Sequence, residues 1–141
     1  MRENIGLFRG RTVKSDEWEQ QWYYGYLYVD SWNGIPLYEI YMPRTDERHI
    51  QPKWYCVDPE TVGECTGLRD KNGKLIFEGD ILSINGASDD ELVYVKYLIS
   101  SFECVSPIWK YYRHRLEDNP EKYEIIGNIH DNPELLGGAV E

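Results

Sequence analysis

Short apolar runs separated by polar turns recur along most of the chain, and several of them alternate with the two-residue period of a β-strand. The clearest case is the segment WYYGYLYV at 22–29, where Trp22, Tyr24, Tyr26 and Tyr28 share one strand face. Further runs that we predict as strands occupy 4–11, 37–42, 53–57, 81–84, 92–100, 102–109 and 123–129. Because the runs are short and polar turns separate them, the pattern predicts a mainly β fold of short antiparallel strands.

Turn-forming residues mark the places where these strands reverse. The segment DKNG at 70–73 lies between two apolar runs. Asn-Gly favours a type I′ turn, in which both central residues need a positive φ, so we predict a tight β-hairpin there. The run at 102–109 contains Pro107, which cannot donate a ladder hydrogen bond, and this predicts an edge strand.

Two single helical turns are predicted, near 58–63 and 132–137. Asp58 and Asn132 each precede a proline and carry a side-chain oxygen that can cap free backbone N–H groups. Gly63 and Gly137 follow at positions where the left-handed conformation ends a helical turn.

A chain of 141 residues is long enough for one domain or for two small lobes. We predict an N-terminal β lobe over 1–67 and a C-terminal β lobe over 68–141, packed either separately or as one unit. The formal net charge is −10, and acidic residues are in excess in both halves, with 7 basic and 11 acidic side chains in 1–64. A nucleic-acid backbone would be repelled on average, which disfavours nucleic acid as a partner.

The cysteine pattern and the absence of long apolar runs indicate a cellular location. Cys56, Cys65 and Cys104 show no CxxC spacing, and no basic segment followed by an apolar run opens the sequence. No stretch approaches the length of about 18 apolar residues that a transmembrane helix needs. We therefore predict free thiols, no membrane contact and a cytoplasmic location.

Residues with catalytic or metal-ligating chemistry show no recognisable spacing. The possible ligands are the three cysteines together with His49, His114 and His130. A Cys-His nucleophilic pair would require a contact that the sequence cannot show. We expect no catalytic residues, no metal and no cofactor, and hence no enzyme activity.

Two aromatic segments are candidate binding surfaces. The face made of Trp22, Tyr24, Tyr26 and Tyr28 is either half of a two-sided core strand or an exposed surface for a protein partner. In the second segment basic and aromatic side chains interleave as anion or nucleic-acid binding requires, in Lys110, Tyr111, Tyr112, Arg113 and Arg115. Acidic residues follow at once, and this mixture favours a solvated loop or a short helix at 110–119.

Two long segments resemble the YopX family of small phage and prophage proteins, namely VDPETVGECTGLRDKNGKLIFEGDIL at 57–82 and YEIIGNIHDNPELL at 123–136. LFRGR at 7–11 and YGYL at 24–27 are similar to the N-terminal pattern of that family. The resemblance implies a mainly β protein with an SH3-like barrel in its C-terminal part, made in a bacterial host cell. It implies no known activity and no catalytic residues.

The sequence therefore predicts a non-catalytic protein-interaction module whose partner is another protein or a second copy of the chain in a homo-oligomer. Two alternatives stay open. One is a nucleic-acid-associated SH3-like barrel. The other is an unrecognised enzyme, which would need a concave site with converging polar groups.

Overall fold

The computed structural model describes residues 7–43, 52–84, 92–108 and 113–137. The fold is mainly β and antiparallel, which confirms the prediction from the short strand-like runs. The helical segments of the described ranges are short 3-10 turns, and none of them is long and apolar enough to cross a membrane. The sheets are open, and the SH3-like barrel stays a prediction.

The chain forms two compact units, which divide between Glu64 and Cys65 within the strand Gly63–Arg69. The predicted boundary after residue 67 falls in the same strand. The N-terminal unit contains residues 6–64, and the C-terminal unit contains the chain from Cys65 onward.

The N-terminal unit is one antiparallel sheet with the strand order β4-β3-β2-β1-β5. Its strands are β1 (Leu7–Arg11), β2 (Trp22–Trp32), β3 (Ile35–Met42), β4 (Lys53–Cys56) and the beginning of β5 (Gly63–Arg69). Asn33 and Gly34 have φ values of 51° and 79° and join β2 to β3 as the two-residue loop that pairs Trp32 with Ile35. The type I′ geometry of an Asn-Gly sequence is therefore present here.

The first predicted helical turn is confirmed as the 3-10 helix Pro59–Thr61. The Oδ1 atom of Asp58 accepts a hydrogen bond of 3.0 Å from the backbone N–H of Glu60, so this residue is the cap that the sequence predicts. The prediction for Gly63 is wrong, because Gly63 has no positive φ and opens β5 opposite Arg9. Pairing with β1 requires an extended backbone at this position.

The C-terminal unit contains a five-stranded sheet with the order β10-β9-β8-β7-β11 and a hairpin of β5 with β6. The strands are β6 (Leu75–Phe77), β7 (Asp80–Ile84), β8 (Leu92–Leu98), β9 (Ser101–Val105), β10 (Arg113–Arg115) and β11 (Tyr123–Asn128). A large buried cluster of this unit joins Ile76, Leu82, Val93, Val95, Phe102, Cys104, Leu116 and Tyr123. Alternate residues of neighbouring strands build this core.

The hairpin predicted at 70–73 is present, but its predicted turn type is wrong. Gly73 has a φ of 80°, whereas Asn72 has no positive φ, and the N–H of Gly73 donates to the carbonyl of Asp70. The geometry is a type I turn followed by a left-handed glycine. The buried carboxylate of Asp70 selects it, because Oδ1 accepts hydrogen bonds of 2.9 Å from both Asn72 N and Lys74 N.

Three expectations for the C-terminal part need correction. The strand expected at an edge, β9, lies between β8 and β10 and ends at Val105, before Pro107. Residues 113–115 form β10 rather than a loop or helix, because the alternation of RHR turns His114 toward Cys104 on the paired strand. The helical turn Pro133–Leu136 and the left-handed Gly137 are confirmed, but the side chain of Asn132 makes no cap and accepts from Asn128 N instead.

Candidate functional site

The sequence predicts a partner surface on one face of β2, made of Trp22, Tyr24, Tyr26 and Tyr28. Three of these four side chains are exposed. Tyr24, Tyr26 and Tyr28 have exposed fractions of 45%, 49% and 49%. Trp22 is half-buried at the start of the strand. The role of this face as a partner surface stays a prediction, but its side chains lie at the surface of the N-terminal unit.

The structure extends this face with aromatic residues from two neighbouring strands. Tyr26 pairs with Tyr41 of β3, and Tyr41 pairs with Trp54 of β4, so all three project from the same side of the sheet. Trp54 has an exposed fraction of 51%. We call Tyr26, Tyr28, Tyr41 and Trp54 the aromatic platform.

Three rings of the platform, those of Tyr28, Tyr41 and Trp54, contact one another. The ring centroids of Tyr41 and Trp54 are 4.4 Å apart, and those of Tyr28 and Trp54 are 4.9 Å apart. Tyr28 meets Tyr41 edge to face at 5.9 Å. Aromatic pairs at these separations are attractive, so the exposed rings hold one another in a fixed arrangement.

The carboxylate of Glu39 lies on the same face of the sheet as the platform. Glu39 of β3 pairs with Tyr28 on one side and with Cys56 on the other, and its position is two residues from Tyr41. Residues that face each other across antiparallel strands project to the same side, so Glu39 belongs to the face of the platform. The side chain of Glu39 is half-buried.

Cations lie at the other end of the face, beside Trp22. The guanidinium carbon of Arg9 is 4.8 Å from the centroid of the Trp22 ring, and that of Arg11 is 5.9 Å away. These separations are within the range of cation–π attraction. At one end of this face, the Trp22 ring is therefore in contact with two arginines of the same chain. At the other end, the platform presents aromatic rings and the carboxylate of Glu39.

The opposite face of β2 supports the sheet. Tyr23 and Tyr55 stack with ring centroids 3.6 Å apart and an interplanar angle of 5°. Ile40 is fully buried, and Gly25 lies where a Cβ atom would be 2.2 Å from the carbonyl oxygen of Tyr41. The close approach at Gly25 holds β2 against β3 and so fixes the register of the platform.

Sequence reasoning identifies the β2 residues of this surface and misses Tyr41, Trp54 and Glu39. A signal for Tyr41 is present, because a two-residue Asn-Gly loop pairs Trp32 with Ile35 and thereby Tyr26 with Tyr41. No comparable signal exists for Trp54. Its register depends on how β4 returns to β3 through a long connection.

The second predicted surface is described only in part. Arg113 and Arg115 are exposed on β10, whereas Lys110, Tyr111 and Tyr112 lie outside the described residues. The Nε atom of Arg113 is 4.0 Å from a carboxylate oxygen of Glu103 on β9. An acidic neighbour offsets part of the positive potential that an anion would meet.

Strand pairing places a cysteine opposite a histidine in the fold. The sequence alone could neither show nor exclude such a pair. Cys104 and His114 face each other in the pairing of β9 with β10. Burial raises the pKa of the Cys104 thiol to about 12, against a smaller lowering effect of its hydrogen bond with Tyr123. Burial also lowers the pKa of His114, so the pair consists of a neutral thiol and a neutral imidazole near pH 7. A protonated, buried thiol is a poor nucleophile.

This arrangement predicts how the three cysteines react with alkylating agents. Cys56 is exposed, whereas Cys65 and Cys104 have no exposed surface. In native protein at pH 8 we expect iodoacetamide to modify Cys56 alone, and all three thiols to react in denaturant. Intact mass measured against time checks this, and rapid modification of Cys104 in the folded protein would contradict the account.

The described part of the chain contains no cluster of three His, Cys, Asp or Glu side chains that could hold a metal ion. Of the histidines considered as ligands, His130 is half-buried, and His49 lies outside the described residues. A shallow depression of about 220 Å³ in the C-terminal unit offers hydroxyl groups and a guanidinium but no carboxylate, imidazole or thiol. It is lined by Thr66, Leu68, Ser100, Ser101, Phe102, Arg115 and Leu116.

Comparison with protein-family models gives a match. The family model described as YopX protein matches residues 12–137, a span that includes most strands of both units. A search of the curated proteins finds no match. Because the family model covers most of the sequence, the chain belongs to the YopX family.

Proposed function

We propose that the protein is a non-catalytic interaction module that binds a protein partner through the aromatic platform. One observation carries the proposal. The rings of Tyr28, Tyr41 and Trp54 contact one another on a sheet face that also holds Tyr26, and Tyr26, Tyr28 and Trp54 are about half exposed. Contiguous apolar surface of this kind is typical of interaction sites.

The composition of the platform fits protein recognition. Tyrosine and tryptophan are enriched at protein–protein interfaces, and they are common among the residues that carry most of the binding energy. Each ring offers a large contact area while few rotatable bonds need to be fixed. The exposed rings contribute little to the stability of the free chain, because their outer faces remain in water.

The platform is built on paired strands rather than on a loop. Its residues come from three neighbouring strands with continuous pairing, and three of its four rings contact one another. A preorganised surface loses less conformational entropy on association than a loop would.

The setting we propose for this interaction is the cytoplasm of a bacterial host, because resemblance to the YopX family implies a phage or prophage protein. The expected partner is a host or phage protein. A homo-oligomer is less favoured, because two copies with a net charge of −10 repel each other. Binding through the basic end of β10 is also less favoured, since Glu103 lies beside Arg113.

Quantitative affinity capture from a host lysate tests the proposal with a matched pair of tryptophan variants. Trp54 and Trp18 have exposed fractions of 51% and 55%, but only Trp54 belongs to the platform. We expect Trp54→Ala to reduce recovery of the partner by about tenfold or more and Trp18→Ala to leave it unchanged. Equal recovery with wild type and Trp54→Ala would contradict the proposed surface, provided that both variants keep the wild-type circular dichroism spectrum.

A further inference from the structure

The chemistry of the platform points to the kind of partner side chain that it receives. Glu39 shares the face with Tyr28, Tyr41 and Trp54, whose rings contact one another beside it. The face of an aromatic ring carries partial negative charge, and a carboxylate carries a full one. A cation seated among these groups is therefore attracted by all of them.

The two ends of the aromatic face differ in whether the chain supplies that cation. At the Trp22 end the guanidinium groups of Arg9 and Arg11 lie 4.8 Å and 5.9 Å from the ring centroid. At the platform, no lysine or arginine of the described ranges forms an ion pair with Glu39 or lies over the rings of Tyr28, Tyr41 and Trp54. Among the described residues, an arginine–aromatic contact is thus present at the Trp22 end, whereas no cation of these ranges occupies the same chemistry at the platform.

The charge of the chain indicates which kind of partner can supply the cation. Residues 1–64 carry 11 acidic and 7 basic side chains, and Asp30 and Glu39 both belong to the platform's side of the sheet by register. A second copy of the chain would bring these carboxylates close to their equivalents, which is unfavourable. A basic segment of a different protein would be complementary to the surface.

We infer that the aromatic platform binds a basic segment of its protein partner and that an arginine side chain of this segment lies against Tyr28, Tyr41 and Trp54 with its charge toward Glu39. The inference rests on the proposed function and specifies the chemistry of the partner. Arginine fits better than lysine, because a planar guanidinium stacks on rings and also forms hydrogen bonds with a carboxylate. Contacts of this kind strengthen as water is excluded from them.

An NMR titration of the full chain with two short peptides tests the inference. One peptide is acetyl-Gly-Arg-Gly-Arg-Gly-amide, and the other has both arginines replaced by citrulline, which keeps the shape and removes the charge. We expect the arginine peptide to bind about threefold to thirtyfold more tightly than the citrulline peptide and to shift the indole N–H signal of Trp54. A lysine peptide should fall between them.

Three variants locate the binding site. We expect Glu39→Gln to weaken binding of the arginine peptide by about twofold to fivefold while leaving the citrulline peptide unaffected. Trp54→Ala should weaken binding of the arginine peptide strongly, and Trp18→Ala should match wild type. Higher salt should weaken the arginine complex, since part of the attraction is between exposed charges.

Each other outcome has a definite meaning. Equal affinity for the arginine and citrulline peptides would overturn the inference and leave the aromatic platform as a neutral binding surface. No binding of the arginine peptide, or shifts confined to residues away from Trp54, would also overturn it. Affinity capture with the Trp54 and Trp18 variants tests the proposed function independently of the arginine inference. The capture experiment does not require the partner to carry any particular charge.

Discussion

Replacement of Asp70 by alanine is expected to destabilise the C-terminal unit by about 3 kcal/mol, because three backbone N–H groups lose a charged acceptor. The carboxylate is 1% exposed and accepts hydrogen bonds from Asn72 and Lys74 in its own turn. Its second oxygen accepts a bond of 3.0 Å from Ile125 of β11, 55 positions along the chain. The side chain thus joins the β5–β6 hairpin to the five-stranded sheet.

Denaturant unfolding followed by far-ultraviolet circular dichroism measures this loss of stability, and two further variants help to interpret it. Asp70→Asn should lose less stability than Asp70→Ala. The amide oxygen of asparagine can still accept hydrogen bonds, whereas its amide nitrogen cannot. Glu124→Gln removes the exposed Lys71–Glu124 ion pair from the same turn and should cost less than about 0.5 kcal/mol. A loss for Asp70→Ala no larger than that for Glu124→Gln would contradict the role we assign to Asp70.

Substitution of Gly25 by alanine is expected to destabilise the N-terminal unit by about 2 kcal/mol, which is typical of overpacking. A Cβ atom at this position would lie 2.2 Å from the backbone carbonyl oxygen of Tyr41 and 3.2 Å from a methyl group of Ile40. The strands β2 and β3 would have to separate to admit it. In a strand without this crowding, alanine would be the better residue by about 0.5–1 kcal/mol.

Gly34→Ala serves as the control for Gly25→Ala. Gly34 has a φ of 79° and open space around its missing Cβ atom, so alanine there meets only the left-handed backbone penalty of about 1–2 kcal/mol. We expect only Gly25→Ala to weaken the near-ultraviolet circular dichroism of the aromatic residues, because it moves β3 relative to β2. Stabilisation by Gly25→Ala would show that the strands are not held this closely.

The sequence allows prediction of much of the platform because part of its geometry is local. Alternation places Tyr24, Tyr26 and Tyr28 on one face, and the Asn33-Gly34 loop determines their pairing with β3. The contribution of Trp54 is not local. It depends on the pairing of β4 with β3 across a connection whose length does not prescribe a register.

The errors in turn prediction have a common physical cause. At 70–73 the Asn-Gly pair favours type I′, but Asp70 offers a buried acceptor to the N–H groups of Asn72 and Lys74, which a type I turn with a left-handed glycine satisfies. At Gly63 the pairing with β1 requires an extended backbone where the local sequence favours a left-handed residue. In both places hydrogen bonds outweigh local preference.

The two units use their polar and aromatic side chains differently. In the C-terminal unit Asp70, Asp80 and Thr66 bond backbone groups, and Tyr123 bonds with Cys104 inside the core. These residues serve the fold. The N-terminal unit presents a row of rings and a carboxylate at its surface, which is why we assign recognition to it.

Site-specific photo-crosslinking in host cells tests the central claim most directly. Tyr28 on the platform and Tyr97 on β8 are both tyrosines about half exposed, so each can be replaced by p-benzoylphenylalanine in otherwise identical proteins. The account predicts a discrete crosslinked protein from position 28 that is absent from position 97, that is lost when Trp54 is also changed to alanine, and whose crosslinked segment is basic. Equal products from both positions, or none from position 28, would contradict it.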